Sequence, residues 1–202
     1  LHYPLRRQRQ MCIRDSMVDD AHATGTIGNG HGTAAYFGLE KEVDIQLGTL
    51  SKSLGSVGGY VAANSTIIDY LVNTSRSFIF STALSPADIG AALAALQVLE
   101  TDASVLARLH ENVNYMADQL ISMGIDATNE TPIFPILIGR NEDTLAVSDY
   151  LYEDGIIGTA IRPPTVPIGE SRIRLTVTAA HNKEQIDYVC QSLNNAMKQL
   201  ES

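Results

Sequence analysis

Tryptophan is absent from this sequence and cysteine is scarce. The two cysteines, Cys12 and Cys190, lie far apart and form no CxxC pair, so we expect neither a disulfide framework nor a thiolate zinc site. No run approaches the roughly 20 apolar residues that a membrane span needs, and no secretory signal is recognisable. These absences favour a cytoplasmic protein that does not insert into a membrane.

Basic residues are in the minority, with 14 Lys+Arg against 23 Asp+Glu and a net charge of -9. This balance argues against nucleic acid or an anionic membrane as the main partner. Residues 1–16 differ from the rest because they are arginine-rich and have no apolar periodicity. We treat them as an artefactual segment, with a basic targeting arm as the alternative. The chain from Met17 onward begins as if at the end of a strand, which indicates a missing upstream region.

The remainder alternates between strand and helix patterns, which predicts an α/β protein. The predicted strands are 43–47, 59–63, 78–81, 132–138, 156–161 and 172–178. The predicted helices are 66–72, 86–123, 143–154 and 183–200. Because the texture changes after the long helix, we expect two domains. Residues 17–105 would be the C-terminal part of a large α/β domain, and residues 106–202 a small α+β domain with its linking helix.

One lysine, Lys52, stands in a loop of small residues (GTLSKSLGSVGG, 48–59) directly after a predicted strand. A lysine that forms a Schiff base needs an uncharged amine near neutral pH, which a partly desolvated site favours. Glycines let a cofactor approach the backbone closely, and the hydroxyls of Thr49 and Ser51 are suited to a phosphate. The loop therefore indicates a pyridoxal phosphate (PLP) site, with a surface lysine in a flexible loop as the alternative.

Asp19 and His22 belong to a second cluster, DDAH, at the end of the first strand pattern. A PLP ring needs a carboxylate that keeps its nitrogen protonated, and a histidine can contact its phenolic oxygen. The carboxyl ends of parallel strands meet at one edge of a sheet. We therefore expect Asp19 and Lys52 to face each other across one cofactor-sized gap. A helix-capping aspartate beside a solvated histidine is the alternative.

A third cluster is the proline-stiffened loop IRPPTVPIGES (161–171), which returns into a strand that carries Arg174. An arginine on such a support can bind a carboxylate through two parallel hydrogen bonds. We assign Arg174 to the α-carboxylate of a substrate and Thr165 to the same substrate site. A surface arginine on a half-exposed strand is the alternative.

The remaining features carry less chemistry. The glycine-rich stretch 25–32 (GTIGNGHG) fits neither GxGxxG nor a P-loop, and we interpret it as a turn region. His31, His110 and His181 are isolated from other ligand types, so we expect no metal site.

The clusters DDAH (19–22), GTLSKSLGSVGG (48–59), FSTALSP (80–86) and IRPPTVPIGESRIRLTVTAAH (161–181) together resemble the α-oxoamine synthases. These are fold-type I PLP enzymes, and the resemblance runs from about Met17 to the C-terminus. It implies a partial large domain of a PLP-dependent transferase, followed by a small α+β C-terminal domain. It also implies a homodimer with shared active sites.

The resemblance implies a role for each matching residue. Lys52 is similar to the lysine that carries PLP and then removes the α-proton of the substrate. Asp19 is similar to the partner of the pyridinium nitrogen, and His22 to the contact with the ring's O3′. Thr49 is similar to a phosphate ligand.

Ser81 or Thr82 is similar to a phosphate contact given to the neighbouring subunit, and Arg174 to the arginine that binds the amino-acid carboxylate. Members of the family condense an amino acid with an acyl thioester and release CO2. The RPPTVP segment favours the biotin-pathway branch, which joins L-alanine to pimeloyl-CoA or a pimeloyl-carrier protein and gives 8-amino-7-oxononanoate.

Two alternatives stay open. One is a glycine-using member of the family, of the 2-amino-3-ketobutyrate CoA ligase or 5-aminolevulinate synthase type. The other is an inactive truncated fragment that only dimerises. Because the family's N-terminal half is not in the sequence, we expect this chain alone to bind PLP poorly. We also expect it to expose apolar faces and unpaired strand edges.

Overall fold

The computed structural model describes residues 15–200. They form two compact units that divide between Leu106 and Ala107. Residues 1–14, the greater part of the segment that we set aside on sequence grounds, lie outside the described residues. Ser16 lies within the fold, because its hydroxyl donates to Asp44 Oδ2 at 2.9 Å and its backbone N–H donates to the same oxygen at 2.7 Å. These bonds lower the pKa of the Asp44 carboxyl.

The first unit is built around a three-stranded sheet of order β1–β2–β3. β1 and β2 are parallel, and β2 and β3 are antiparallel. In chain order the elements are β1 (Met17–Asp19), a 3-10 turn (Gly28–Gly30), α1 (Thr33–Tyr36), β2 (Ile45–Thr49), β3 (Gly59–Ala63), α2 (Ser65–Thr74), α3 (Arg76–Ile79) and α4 (Pro86–Thr101). The next helix, α5 (Ala103–Ser122), begins in the first unit and continues in the second.

Side-chain caps explain where two of these helices begin. The Asn64 side chain accepts a hydrogen bond from the Ile67 N–H at 3.0 Å and starts α2. The Ser85 hydroxyl does the same for the Asp88 N–H at 3.2 Å, with Pro86 at the first helical position of α4.

Two sequence predictions are wrong in this unit. The strand predicted at 78–81 does not form: residues 78–79 end α3, and residues 80–81 follow it in a turn. The Ile79 N–H bonds to the Ser75 carbonyl at 2.9 Å, and the Phe80 N–H bonds to the Arg76 carbonyl at 3.0 Å. So short an apolar run does not distinguish strand from helix. The single helix predicted at 86–123 is two helices, because Asp102 leaves helical geometry (φ −121°, ψ 82°) and its side chain accepts from the Ser104 N–H.

The first unit exposes many large apolar side chains. Phe78 and Phe80 are 64% and 78% exposed, and Ile89 and Leu93 of α4 are 52% and 56% exposed. Four of the five residues of β3 are also exposed. The expectation of uncovered apolar surface is therefore confirmed in this unit. Among residues 15–200 no single helix is long and apolar enough to cross a membrane, although α4 and α5 taken together meet that criterion of length and composition.

The second unit is an antiparallel sheet with helices packed on it. Its sheet has the order β4–β6–β5, and α6 packs against both β6 and α7. The elements after α5 are β4 (Ile133–Gly139), α6 (Asn141–Glu153), β5 (Thr159–Ile161), β6 (Ser171–Thr176) and α7 (Lys183–Leu200). Inward residues alternate with outward ones along β6, as a sheet with one covered face requires.

A dense apolar core holds this unit together. Leu120, Leu151, Ile173 and Leu193 have no measurable exposure, and Phe134 is 1% exposed. Burial also raises the pKa of the Cys190 thiol to about 11, where it lies 3.6 Å from Met116 Sδ. The unit therefore has the α+β character that the sequence predicts.

Candidate active site

The first strand ends beside the strand that leads to the lysine loop. β1 and β2 are parallel neighbours, with Asp19 in register with Leu47. The Asp20 N–H extends the ladder to the Leu47 carbonyl at 2.8 Å. Asp19 is thus the last residue of one strand and Thr49 the last of its neighbour. The predicted adjacency of the two strand ends is confirmed.

The loop that carries Lys52 is closed by its own backbone. The Leu50 N–H donates to the Gly58 carbonyl at 2.9 Å, and the Ser56 N–H donates to the Leu50 carbonyl at 2.8 Å. Leu54 anchors the loop from within, since it is only 4% exposed. These bonds give the loop a defined backbone, and the role of Lys52 stays a prediction.

Lys52 itself is exposed, as are Ser51 and Ser53. The partly desolvated setting that the sequence predicts for the amine is therefore not present in this chain. The amine has no hydrogen-bond or ion-pair partner within residues 15–200.

Thr49 takes part in a local hydroxyl network. Its Oγ1 lies 2.7 Å from Ser51 Oγ and donates to the Gly58 carbonyl at 3.0 Å. It also accepts from the Ser51 N–H at 3.2 Å. Because its one proton is directed to Gly58, Thr49 can donate to a phosphate only by giving up that bond.

Asp20, which sequence reasoning did not single out, has a structural role beside Asp19. Asp20 is 3% exposed, and its two carboxylate oxygens accept from the Thr33 N–H at 3.2 and 3.1 Å. The capping role offered as the alternative for this cluster is therefore filled by Asp20. Asp19 is exposed, and its Oδ1 accepts from the Ala21 N–H at 2.9 Å in a local turn. The sequence feature that could have indicated which aspartate caps the helix is the glycine-rich turn at 25–32, because it leads the chain back to this cluster at Thr33.

Gly32 makes room for the buried carboxylate. Its backbone has φ 93° and ψ −169°, a conformation that is essentially reserved for glycine. A Cβ at this position would lie 3.0 Å from Asp20 Cγ and closer still to Oδ2. The turn region predicted at 25–32 thus serves to seat Asp20 against the start of α1.

Thr24 connects this turn to the lysine loop and to β3. Its carbonyl accepts from the Ser53 hydroxyl at 2.6 Å, and its own hydroxyl lies 2.9 Å from Tyr60 Oη. The Tyr60 side chain in turn covers Gly48, where a Cβ would lie 2.5 Å from two ring carbons and from the hydroxyl oxygen. Ser53, which directly follows Lys52, is therefore hydrogen-bonded to Thr24, which lies two residues after His22.

The other predicted residues lie further along the chain. Ser81 donates its hydroxyl to the Ser77 carbonyl at 2.5 Å, and Thr82 is exposed in the segment before α4. The same segment reaches the end of the lysine loop, because a Cβ on Gly58 would lie 2.7 Å from Leu84 Cδ1.

The predicted substrate residues lie in the second unit. Arg174 is exposed on β6, between Pro135 of β4 and Thr159 of β5. Its guanidinium has no hydrogen bond or ion pair to any residue that the structure describes. Thr165 is exposed, and its N–H closes a turn to the Arg162 carbonyl at 3.0 Å.

The residues around the strand ends fit PLP chemically. They provide an unpaired primary amine at Lys52, an exposed carboxylate at Asp19 and a histidine three residues further on. The loop contains Gly48, Gly55, Gly58 and Gly59, and serines flank the lysine in the chain. Parallel strand ends that bring a lysine loop beside an acid are the arrangement expected of the fold-type I class of PLP-dependent transferases.

Comparison with known proteins gives the family. The chain belongs to the aminotransferase class I and II family, whose model matches residues 16–193. Among curated proteins it is 45% identical over 187 residues to 8-amino-7-oxononanoate synthase 1 of Bacillus velezensis, covering 92% of this chain and 48% of that protein. It is 42% identical to a serine palmitoyltransferase of Sphingobacterium spiritivorum, again over 187 residues, covering 92% and 47%.

Solved structures agree with this assignment. A serine palmitoyltransferase from S. paucimobilis with a bound PLP–myriocin aldimine matches with a TM-score of 0.90 at 27% identity, covering 98% of this chain and 52% of that one. An 8-amino-7-oxononanoate synthase from Francisella tularensis matches with a TM-score of 0.81 at 26% identity, covering 98% and 59%. The predicted fold class and the predicted cofactor of the fold are confirmed. The chain spans about half the length of the curated relatives that it matches.

Proposed function

We propose that this chain is the lysine-bearing half of an α-oxoamine synthase that condenses L-alanine with pimeloyl-CoA or a pimeloyl-carrier protein. The observation that supports this most directly is the pairing of β1 with β2, which sets Asp19 and the lysine loop on neighbouring strand ends. The similarity to an 8-amino-7-oxononanoate synthase at 45% identity favours alanine as the amino acid. The homodimer and the acyl donor are part of the same proposal.

The roles of the residues follow from their chemistry. When bound, PLP supplies a cationic ring that accepts the electron pair left at the α-carbon of the amino acid. Lys52 Nζ holds the cofactor covalently and, once released, takes up the α-proton. The Asp19 carboxylate keeps the proton on the ring nitrogen, and His22 orients the ring through its phenolic oxygen. Thr49, and Ser81 or Thr82 from the second subunit, would bind the phosphate.

A serine-using enzyme is the second candidate. The similarity to a serine palmitoyltransferase at 42% identity is nearly as high as that to the synthase. The glycine-using types and an inactive fragment also stay open as alternatives. The choice of amino acid therefore needs a direct test.

The test uses a chimera in which residues 16–200 replace the matching half of the Bacillus velezensis relative. We expect this chimera, loaded with PLP and given pimeloyl-CoA, to release CO2 fastest with L-alanine. We expect at least roughly tenfold discrimination against glycine and L-serine, since a well-fitted apolar group contributes about that much. A preference for serine with a long-chain acyl-CoA would transfer the assignment to the second candidate. No turnover with any pair would favour the inactive fragment.

Arg174 and Arg172 offer a matched pair for the carboxylate site. Both lie on the same face of β6, but Arg172 already donates to the Glu170 carbonyl at 3.0 Å and to Glu170 Oε2 at 3.1 Å. In the chimera we expect Arg174→Ala to raise the KM for L-alanine by roughly ten- to a hundredfold, the value of a hydrogen bond to a charged group. We expect Arg172→Ala to change it less than about threefold. Equal effects of the two substitutions would contradict the assignment of Arg174.

A further inference from the structure

The lysine loop has two hydroxyl tethers of equal length that lead to different places. The Ser53 hydroxyl donates to the Thr24 carbonyl at 2.6 Å, and the Ser56 hydroxyl donates to the Asp88 carbonyl at 2.6 Å. The first reaches the turn that follows Asp19 and His22, and the second reaches the first turn of α4. Ser53 also directly follows Lys52 in the chain, so its tether acts on the backbone that aims the amine.

The turn at Thr24 is itself firmly held. The Thr24 N–H and hydroxyl both donate to the Asp20 carbonyl, at 3.0 and 3.1 Å, and the hydroxyl meets Tyr60 Oη on β3. The Gly25 N–H donates to the Gly30 carbonyl at 2.8 Å. Thr24, whose carbonyl accepts the hydrogen bond from Ser53, is thus held by Asp20 after β1 and by Tyr60 of β3.

Gly25 permits the close approach of loop and turn. It has φ +75°, and a Cβ there would lie 2.8 Å from Ser53 Oγ and 2.9 Å from Ser53 Cβ. Any side chain at residue 25 would push the lysine loop away from the turn. The Ser53–Thr24 hydrogen bond holds the lysine loop close to the turn, and the absence of a side chain at Gly25 allows that close approach.

We propose that Ser53 is a positioning residue, which fixes the Lys52 loop onto the Asp19–His22 turn through the Thr24 carbonyl. The inference deepens the proposed function and rests on it for the role of Lys52. Ser53 does not touch the reacting atoms; it sets the direction from which the amine of the preceding residue meets the ring that Asp19 and His22 hold. Loss of the hydroxyl leaves both partners folded but uncouples them.

The first experiment needs no cofactor. Amide hydrogen exchange is measured on the 202-residue chain and on its Ser53→Ala, Ser56→Ala and Ser53→Thr variants. We expect Ser53→Ala to speed exchange roughly two- to tenfold both in the loop amides of Gly55 and Ser56 and in the turn amides of Thr24 and Gly25. Ser56→Ala should speed only the loop amides, and Ser53→Thr should restore the wild-type pattern. Unchanged turn amides in Ser53→Ala would overturn the proposal.

The second experiment measures the amine directly. The same substitutions are made in the chimera, and each protein is incubated with excess PLP, reduced with borohydride, and mapped by peptide mass spectrometry for phosphopyridoxyl-lysine. We expect labelling of Lys52 to fall roughly two- to tenfold in Ser53→Ala and to change less than twofold in Ser56→Ala. Equal losses of Lys52 labelling in Ser53→Ala and Ser56→Ala would contradict a positioning role and show that Ser53 only stabilises the loop. If the parent chimera labels Lys52 no more than exposed Lys41, the proposed function fails, while the exchange data still decide whether the Ser53–Thr24 hydrogen bond exists.

Discussion

Replacement of Lys52 by alanine is expected to lower product release by the alanine-dependent chimera at least about a thousandfold. Removal of the group that bonds to the cofactor and moves the substrate proton takes away both covalent and general-base catalysis. The fold should be unaffected, because Lys52 is exposed and its side chain contacts no partner within residues 15–200. Loss of turnover with an unchanged circular dichroism spectrum is the signature to measure.

Lys41 is the matched control for this substitution. The sequence has four lysines, and Lys41 is exposed and precedes β2 as Lys52 follows it. Lys41→Ala should leave turnover within about twofold of the parent. Borohydride trapping on the parent chimera should place the phosphopyridoxyl label on Lys52. Full activity of the Lys52→Ala chimera, or a label that prefers another lysine, would end the assignment.

Gly32→Ala is expected to destabilise the first unit by about 3–4 kcal/mol. The glycine-only backbone conformation costs an L-residue about 1–3 kcal/mol, and displacement of a charged acceptor from its N–H costs about 1.5–3 kcal/mol. Both costs apply, because the new Cβ would meet the Asp20 carboxylate that bonds to Thr33. Urea unfolding followed by circular dichroism measures the change.

Gly38→Ala is the control for a positive φ without a new side-chain contact. Gly38 also has a positive φ, +65°, but a Cβ there would meet nothing within 4 Å. We expect this control to lose only about 1 kcal/mol, the cost of the left-handed conformation alone. If Gly32→Ala and Gly38→Ala lower the free energy of unfolding equally, the contact with the Asp20 carboxylate contributes nothing to stability. Asp20 would then not be the residue that holds the turn in place.

Long or strongly patterned elements were predictable from the sequence. Strand Gly59–Ala63 and helix Lys183–Leu200 have the predicted bounds, because the one is a short apolar run between Gly58 and Asn64 and the other has an amphipathic stripe. The two wrong predictions fall where local hydrogen bonds compete with the apolar pattern of the sequence. At Asp102 a side-chain acceptor interrupts a continuous apolar pattern, and at 78–81 backbone bonds to Ser75 and Arg76 override aromatic strand propensity.

The site was predictable as far as it depends on topology. Parallel pairing of the strands before Asp19 and Lys52 follows from α/β alternation, and the structure has it. The division of labour between Asp19 and Asp20 was not predictable from DDAH, because it depends on where the Thr33 N–H arrives through a folded turn. The exposure of Lys52 was mispredicted, because desolvation depends on what covers the sheet edge, not on the loop. The roles of every predicted site residue stay predictions: Asp19, His22, Thr49, Lys52, Ser81, Thr82, Thr165 and Arg174.

The self-closed lysine loop has a consequence for affinity. Its internal bonds from Leu50 to Gly58 are made by the chain's own backbone, so the conformational entropy of ordering this segment is lost during folding. A ligand that arrives meets a preorganised backbone and loses little more entropy there. If the 202-residue chain binds PLP weakly, the cause would then be protein surface that is missing around the site and not a disordered loop. Adding the matching half of a relative should restore tight PLP binding without reshaping the loop.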